Sequence, residues 1–387
     1  MNGKMFSPSQ LRAGLMLKPA TPGPANAHYT CTRLRVRRTR LLGREDYMRM
    51  LEMDIPQIAR FIGEHGYAKE IHTLDSTRFD TDRLEVVLMQ NLSEACQNVR
   101  ELTSGPLRLL TEWYLHRWDI VNIMVILRGK RKGFSKERIA DVIAPAGDID
   151  AAAIRYLAEA PSEREVVDRL VLWQLYPIIA KEYAQAKGDV NLSALETRLY
   201  RQYYIDLLRK CETGIPGADL FAASVRLEID LANFRNLIRI RTGTVPEDIR
   251  EQMLIGGDIP LDEFQRLAGV DEKDAFLTFF RGTHLFPLLV DSYNALFPDA
   301  AKAKEEAEKF IAERWLERKR PLHEMERTVN RLRLSRLEQL SKRNPFSILP
   351  VLVYLERKKY EVFNIRAIIR GLEDGVPPEK IQQFLVI

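Results

Sequence analysis

The feature that most constrains this 387-residue chain is a short phrase that occurs three times. Each copy has an acidic residue, an Asn three positions later, and an Arg six positions after the Asn. The copies read Asp119-Ile-Val-Asn122-Ile-Met-Val-Ile-Leu-Arg128, Asp230-Leu-Ala-Asn233-Phe-Arg-Asn-Leu-Ile-Arg239 and Glu361-Val-Phe-Asn364-Ile-Arg-Ala-Ile-Ile-Arg370. Self-similarity of this kind is typical of repeat architectures. The phrase therefore predicts three copies of one helical unit, and nothing in it resembles a catalytic site.

Further landmarks keep the same register as the phrase. A Glu precedes each Asn by 37, 37 and 38 residues, and a Pro lies between them in every copy; these residues are Glu85, Glu196 and Glu326, and Pro106, Pro216 and Pro345. Gly147-Asp148-Ile149 and Gly257-Asp258-Ile259 close the first two copies, whereas the third ends at Ile387. We therefore divide the chain into repeat 1 (29–149), repeat 2 (150–259) and repeat 3 (260–387). Residues 1–28 are expected to be a disordered extension or the result of a misplaced start codon.

The composition and the spacing of apolar residues predict an all-α fold. The chain is 45% hydrophobic and 29% charged, as in an ordinary soluble globular protein. Its apolar stretches are far shorter than the roughly 20 residues of a membrane span, and no signal-peptide core lies near Met1. The scattered residues Cys31, Cys96 and Cys211 indicate reduced thiols in the cytosol. Leu84, Leu88, Leu92, Ala95, Val99 and Leu102 follow one helical face at steps of three and four.

Proline and glycine predict where several helices begin and end. Ser104-Gly-Pro106 and Asn344-Pro345 have the form of helix starts, because Pro is tolerated in the first turn. Arg128-Gly129 and Arg370-Gly371 have the form of helix ends, with Gly as the cap.

The recurrent polar residues are interpreted as a structural network. Asn122 is flanked by apolar residues, so its amide should be at least half buried and must find hydrogen-bond partners. Asp119 shares its helical face, whereas Arg128 lies half a turn out of phase with Asp119 and cannot pair with it. We expect the network to tie helices together inside each repeat; the alternative is a ligand-binding role. Its members are Glu85, Asp119, Asn122, Arg128, Glu196, Asp230, Asn233, Arg239, Glu326, Glu361, Asn364 and Arg370.

No catalytic or cofactor motif is found in the sequence. It has no Gly-rich phosphate loop, no Ser or Cys nucleophile signature, and no His or Cys spacing typical of a metal site. We therefore expect no catalytic residue, cofactor, metal or small-molecule substrate.

A group of arginines near the start of repeat 1 is the main candidate for a binding surface. Arg33, Arg37, Arg40 and Arg44 recur at helical spacing and form a predicted basic stripe. This stripe is either a solvated face or a surface for an acidic protein, anionic lipid head groups or nucleic acid. The net charge of +5 is modest, and no nucleic-acid-binding motif is present, so nucleic acid is not an expected partner.

Several segments resemble the family of C subunits of V-type and archaeal A-type ATP synthases, which is related to the d subunit of the eukaryotic vacuolar proton pump. They are Tyr29-Thr-Cys-Thr-Arg33-Leu-Arg-Val-Arg-Arg-Thr-Arg40-Leu41-Leu42, Trp118-Asp119-Ile-Val-Asn122, Leu127-Arg128-Gly129, Asn364-Ile-Arg-Ala-Ile-Ile-Arg370-Gly371 and Pro377-Pro378-Glu379. The resemblance covers roughly Tyr29 to Ile387.

The resemblance implies a funnel of three similar helical bundles around a pseudo-threefold axis. It also implies a non-catalytic rotor subunit, present in one copy per complex, on the cytoplasmic face of the membrane. Such a subunit is a socket that joins the D and F subunits of the central stalk to the membrane proteolipid ring and transmits torque between ATP chemistry and ion translocation. From the residues alone, a generic helical-repeat scaffold for acidic protein partners is the alternative.

Overall fold

The computed structural model describes residues 26–73, 80–241, 249–270, 272–294, 297, 299–315 and 322–387, and these residues contain helices and no β-strand. The predicted all-α class is therefore confirmed for the described part of the chain. The N-terminal helices are α1 (Ala27–Arg38), α2 (Arg44–Met50), α3 (Ile55–Ile62) and α4 (Ala68–Thr73), with a π-helical turn at Gly63–Tyr67 between α3 and α4. The rest of repeat 1 contains α5 (Thr81–Leu102), α6 (Gly105–Leu115), α7 (Arg117–Arg131) and α8 (Lys136–Asp141).

The other two repeats also combine long helices with short ones. Repeat 2 contains α9 (Ala151–Ala158), α10 (Glu163–Arg169), α11 (Tyr176–Gln185), α12 (Leu192–Cys211), α13 (Ala218–Arg241) and α14 (Ile249–Gln252). Repeat 3 contains α15 (Leu261–Ala268), α16 (Lys273–Arg281), α17 (Leu285–Asn294), α18 (Ala300–Trp315), α19 (Leu322–Arg343), α20 (Leu349–Glu373) and α21 (Pro378–Gln382).

Helix α5 illustrates how the sequence specifies these elements. Its N-cap is Asp80, whose carboxylate accepts a hydrogen bond from the backbone N–H of Arg83 at 2.8 Å. Leu84, Leu88, Leu92 and Val99 on its predicted apolar face are fully buried. The predicted face is therefore confirmed.

The long helices contact one another in a closed succession. The segment α6–α7 follows α5 along the chain, and α12 packs on α7, α13 on α12, α19 on α13 and α20 on α19. The last of these helices, α20, packs extensively against the first, α5. The two ends of the described chain are thus joined by helix packing.

Two hydrophobic cores lie among these helices. The larger core combines residues from the beginning, middle and end of the chain, such as Leu34, Leu195 and Ile368. The smaller core lies between the end of repeat 2 and the first part of repeat 3, and contains Phe234 and Phe276. The boundaries at residues 149 and 259 stay a prediction.

The N-terminal boundary differs slightly from the expected one. Residues 1–25 of the expected extension lie outside the described residues. Ala27 and His28 belong to α1, whose N-cap Asn26 accepts a hydrogen bond from the backbone N–H of Tyr29 at 3.3 Å. The His28 ring also packs against Phe346, at 4.2 Å between centroids, so residues 26–28 of the expected extension belong to the folded helical structure.

The two predicted helix starts have different outcomes. Helix α6 begins at Gly105, with Ser104 as N-cap and Pro106 in the first turn, as predicted. Helix α20 begins at Leu349, and Asn344 instead follows the end of α19, where its backbone N–H bonds to the Leu340 carbonyl at 2.9 Å. The start predicted at Pro345 is therefore wrong, because Pro350 occupies the first turn of α20.

The two predicted helix ends are also wrong. Helix α7 continues through Gly129 to Arg131, and α20 continues through Gly371 to Glu373. The glycines that end these helices are Gly133 and Gly375, whose φ angles of 69° and 66° are left-handed.

The interior glycines are needed for close packing. A Cβ atom on Gly129 would lie 2.6 Å from Cγ1 of Ile139, and one on Gly371 would lie 2.7 Å from Cδ1 of Ile381. In each case the short helix that follows, α8 or α21, packs directly onto the backbone of the long helix. The sequence suggested caps at these glycines because a contact between two helices does not follow from the order of residues.

Gly371→Ala is expected to destabilise the protein by about 1–3 kcal/mol, since the added methyl group overlaps Ile381 in a packed interior. In an uncrowded helix the same change stabilises by about 1 kcal/mol, so the sign of the effect is the test. Urea unfolding followed by circular dichroism would measure it. Gly188→Ala is the matched control, because a Cβ there meets nothing within 4 Å. A stabilised Gly371→Ala protein would contradict the packing.

Candidate functional site: recurrent polar contacts between helices

The recurrent acids of the first two repeats bind the backbone of the loop that closes each repeat. Asp119 accepts hydrogen bonds from the N–H groups of Asp148 and Ile149, at 3.1 and 3.0 Å. Asp230 accepts the equivalent bonds from Asp258 and Ile259, at 2.9 and 3.2 Å. Each acid thereby holds a loop against the long helix that carries it.

The glycine in each of these loops permits the close approach. A Cβ atom on Gly147 would lie 2.1 Å from Oδ1 of Asp119, and one on Gly257 would lie 1.9 Å from Oδ1 of Asp230. Any larger residue would displace the carboxylate from its two backbone donors.

The third recurrent acid has a partner from the other end of the chain. Glu361 accepts a hydrogen bond from the backbone N–H of Leu42 at 2.7 Å, and others from the Tyr67 hydroxyl at 2.7 Å and Lys358 Nζ at 2.6 Å. Leu42 follows α1, so the segment after α1 supplies a backbone donor to the recurrent acid of repeat 3. Sequence reasoning missed this partner, which lies 319 residues away.

The recurrent asparagines bind the backbone farther along the chain. The Asn122 amide donates to the Ala144 carbonyl at 2.7 Å. Asn233 both donates to the Leu254 carbonyl, at 2.9 Å, and accepts from the Leu254 N–H, at 2.7 Å. Asn364 forms the same pair of bonds with Val386, both at 2.9 Å. All three side chains are buried, and each fixes the segment after the short helix of its own repeat.

The recurrent Arg and Glu residues join successive repeats. Arg128 of repeat 1 pairs with Glu196 of repeat 2, and Arg239 of repeat 2 pairs with Glu326 of repeat 3. Arg370 of repeat 3 pairs with Glu85 of repeat 1, at 2.8 Å between Nη2 and Oε2, and so closes the cycle. The expectation that these residues tie helices inside one repeat is therefore wrong. Helical phase fixes where a side chain points but not which helix it meets.

These Arg–Glu pairs differ in their environment. Those of Arg128 and Arg239 are partly exposed and contribute about 0–1 kcal/mol each. Glu85 is buried and bonds to both Arg366 and Arg370. Burial alone would raise the pKa of Glu85, but hydrogen bonds and charge from Arg370 and Arg366 outweigh it and lower the pKa. The two partly exposed pairs therefore contribute little to stability, but they show which repeats are in contact.

Sequence reasoning missed a second, more central charge network. Arg117 forms two hydrogen bonds with Glu228, at 2.7 and 3.1 Å, and Arg333 binds the same carboxylate at 2.9 Å. Arg333 also binds Glu356 at 3.0 Å, and Lys359 binds Glu356 at 2.5 Å. We call these five residues the central network; they come from all three repeats.

The central network is shielded from solvent. Arg117 and Glu356 are buried, and the side chains of Glu228 and Arg333 are 14% and 11% exposed. Burial alone would raise the pKa of Glu356, but the charges of Arg333, Lys359 and Arg117 hold it well below its usual range. Arg117, Glu228 and Lys359 each lie two positions before the recurrent acid, and this shared offset was the sequence signal that could have revealed them.

The four arginines of the predicted basic stripe do not share one helical face. Helix α1 ends at Arg38, so only Arg33 and Arg37 lie on it, and Arg44 is the first residue of α2. Arg33 donates to the Tyr29 hydroxyl at 2.5 Å. Arg37 and Arg40 line a groove, whereas Arg44 lines a different cavity. The continuous stripe is therefore wrong, because the helix ends within it.

One group of side chains in the described residues could offer metal ligands. Atoms of Asp230, Asp258 and His284 lie within 4.8 Å of one another. The carboxylate of Asp230 is already engaged by two backbone N–H groups and lies 3.2 Å from Nε2 of His284. These contacts account for the cluster as part of the loop closure, and we assign no metal to it.

The described residues form an all-helical protein whose recurrent polar residues bond to other parts of the same chain. Among the described residues, no helix has both the length and the apolar character that crossing a bilayer requires. A family model described as ATP synthase (C/AC39) subunit matches residues 30–384. The chain belongs to this family, and the resemblance noted in its sequence is confirmed.

Individual relatives agree with the family. The A-type ATP synthase C subunit of Methanosarcina mazei is 31% identical over 370 residues, which are 94% of each chain. That of Haloferax volcanii is 30% identical over 373 residues, covering 95% of this chain and 99% of the relative. That of Archaeoglobus fulgidus is 28% identical over 363 residues, covering 93% and 96%.

The environment of Asp119 predicts a particular pH dependence of stability. Burial, and then the charge of Asp148, raise the pKa of Asp119 from 3.8 to about 7, against opposing contributions from His116 and the two backbone donors. The folded protein therefore holds this proton more tightly than the unfolded chain. Its contribution to the free energy of unfolding should fall as pH rises from about 4 to about 7, by at most about 1.4 kcal/mol per pH unit.

Asp119→Asn should remove that contribution. Relative to the wild type, the variant should become more stable as pH rises, and urea unfolding at about pH 5 and about pH 8 would measure the change. Asp374→Asn, at an exposed position, is the control and should show no such trend. Parallel pH profiles for wild type and Asp119→Asn would contradict the raised pKa.

Proposed function

We propose that this chain is a non-catalytic central-rotor subunit of a rotary A/V-type ATP synthase. It would join the D and F subunits of the central stalk to the membrane proteolipid ring, with one copy in each complex, and transmit torque between ATP synthesis or hydrolysis and ion translocation. Family membership supports this role, since the relatives are A-type ATP synthase subunits by name.

The observation that carries the proposal is the closed cycle of Arg–Glu contacts. Each repeat is linked to the next, and Arg370 links repeat 3 back to Glu85 of repeat 1. A part that transmits torque must resist twisting, and a closed succession of packed helices has no free end that can unwind. The central network adds charge-assisted bonds among all three repeats.

The equivalent contacts also support the proposed shape. The acid, the Asn and the Arg each have the same kind of partner in all three repeats, although Leu42 supplies the backbone donor for Glu361. We therefore propose three similar bundles around a pseudo-threefold axis, arranged as a funnel. One mouth of the funnel would receive the stalk, and the other would rest on the ring at the cytoplasmic face of the membrane as a peripheral subunit.

An affinity pull-down tests the proposal. Tagged protein would be recovered from detergent-solubilised membranes of its source cells, and the co-purifying proteins identified by mass spectrometry. We expect the proteolipid ring together with the D and F subunits. Recovery of neither, from cells in which the rotary ATPase is detected by its own subunits, would refute the socket role.

A matched pair of variants tests the contribution of the closed cycle. Arg370→Gln removes one of the two arginine pairs with Glu85 that join repeat 3 to repeat 1, and leaves that of Arg366, whereas Arg343→Gln changes an exposed arginine at the end of α19. If the closed cycle of contacts is needed to couple ATP hydrolysis to ion transport, Arg370→Gln should lower ATP-driven ion transport in membrane vesicles more than it lowers ATP hydrolysis. Arg343→Gln should change neither.

A further inference from the structure

A cavity of about 360 Å³ lies between α2, α19 and the C-terminal segment. Three arginines line it: Arg44 at the start of α2, and Arg327 and Arg331 on α19. Gln382 and Gln383, at the end of α21, add amide donors. The cavity therefore gathers hydrogen-bond donors from three elements that are distant in sequence.

Arginines outnumber the carboxylates among the residues that line this cavity. None of the three arginines forms an ion pair with a described residue, and Nε of Arg327 is buried with no hydrogen-bond partner. Glu379 and Ile387 also line the cavity, but neither pairs with these arginines. Arg44 and Arg331 are exposed on one side of the cavity, and partial burial, followed by the charges of Arg327 and Arg44, lowers the pKa of Arg331.

Without a bound anion, the three arginines of this cavity repel one another. Arg327 and Arg331 are four positions apart on α19 and thus neighbours on one helical face, where like charges destabilise a helix. Arg117 and Arg333 of the central network, by contrast, are paired with carboxylates. Three guanidinium groups that share a cavity without such a partner are typical of a site for an external anion.

We propose that this cavity binds a phosphate-bearing ligand. Guanidinium groups present planar pairs of N–H donors that match the oxygens of phosphate, and several together can surround a tetrahedral oxyanion. The volume exceeds that of a single phosphate, and Leu385 and Ile387 provide an apolar wall beside the arginines. The ligand is either a free phosphate compound or the head group of an anionic phospholipid, and both share the chemistry the site recognises.

The proposal goes beyond the rotor role and is tested on the isolated protein. Isothermal titration calorimetry with sodium pyrophosphate, against sodium chloride at matched ionic strength, measures binding of a free phosphate compound. Flotation with phosphatidylcholine vesicles, with and without phosphatidylglycerol, measures binding of a lipid head group. Arg331→Gln and Arg44→Gln each remove one guanidinium from a different helix, and each should weaken binding about tenfold or more.

Arg343→Gln is the matched control, since Arg343 is exposed on the same helix but does not line the cavity. Pyrophosphate binding that is lost in both cavity variants and kept in the control supports a free phosphate compound. Vesicle binding that requires phosphatidylglycerol and shows the same pattern supports a lipid head group. Absence of both, or equal losses in all three variants, would overturn the proposal.

Thermal stability separates a binding site from a structural one. In phosphate-free buffer, Arg331→Gln and Arg44→Gln should melt no lower than the wild type, because each relieves repulsion between like charges. If both variants instead melt several degrees lower, the arginines serve the fold and the proposal is overturned.

Discussion

Glu356→Gln is expected to lower the free energy of unfolding by about 3–5 kcal/mol, as is usual when one partner of a buried ion pair is removed. The Glu356 carboxylate is buried and binds Arg333, Lys359 and the Tyr114 hydroxyl. A neutral amide cannot compensate two cations, and Lys359, whose side chain is 19% exposed, would lose its carboxylate partner. Urea unfolding at neutral pH, followed by circular dichroism, would measure the loss.

The matched control for this experiment is Glu338→Gln. Glu338 pairs with Arg357 near the surface, so its loss should cost about 0–1 kcal/mol. The pKa of Glu356 is held below its unfolded value of 4.5, so its stabilisation is present above that pH and is lost as pH falls further. The deficit of Glu356→Gln should therefore shrink in acid. A deficit as small as that of Glu338→Gln at neutral pH would contradict the assigned role.

Asn233→Ala is expected to cost about 2–4 kcal/mol, because it leaves the N–H and the carbonyl of Leu254 buried without partners. Asn122→Ala removes a single bond, to the Ala144 carbonyl, and should cost about 1–3 kcal/mol. Denaturant unfolding gives the order of the two effects. Hydrogen exchange at the Leu254 amide gives a local readout, since protection there should be lost only in Asn233→Ala.

Asn294→Ala is the control for both variants. Asn294 is exposed on α17, so its loss should change stability by no more than about 0.5 kcal/mol. If Asn122→Ala and Asn233→Ala change the free energy of unfolding no more than this control does, the buried amides do not stabilise the fold. The alternative, a ligand-binding role for these residues, would then be favoured.

The sequence predicted those features that depend on the order of residues within one helix. The apolar face of α5, the start of α6 at Gly105 and the burial of Asn122 follow from helical spacing and from the cost of burying polar groups. The three-fold recurrence of the acid, the Asn and the Arg also identified the residues that make equivalent contacts in the structure. Helical spacing and recurrence therefore identified which residues are buried or make the recurrent contacts.

The partners of those residues were predicted less well. The Arg–Glu pairs join different repeats, Gly371 packs on Ile381, and Arg44 lines one cavity with Arg327 and Arg331. Each of these contacts depends on how two helices pack, and helical phase specifies only the direction of a side chain. The central network was missed for the same reason, although three of its five members share an offset from the recurrent acid.

The contact between Leu42 and Glu361 has a consequence for how the protein is made. A ribosome releases Leu42 long before it has added Glu361, so the hydrogen bond from the Leu42 N–H to the Glu361 carboxylate forms late. The packing of α5 against α20 likewise forms only after α20 has been synthesised. Closing so long a stretch of chain is slow, because its entropy is lost before the contact forms. The segment from α1 to α5 is thus synthesised early but is among the last to reach its final structure, and until then it stays accessible to proteases and chaperones.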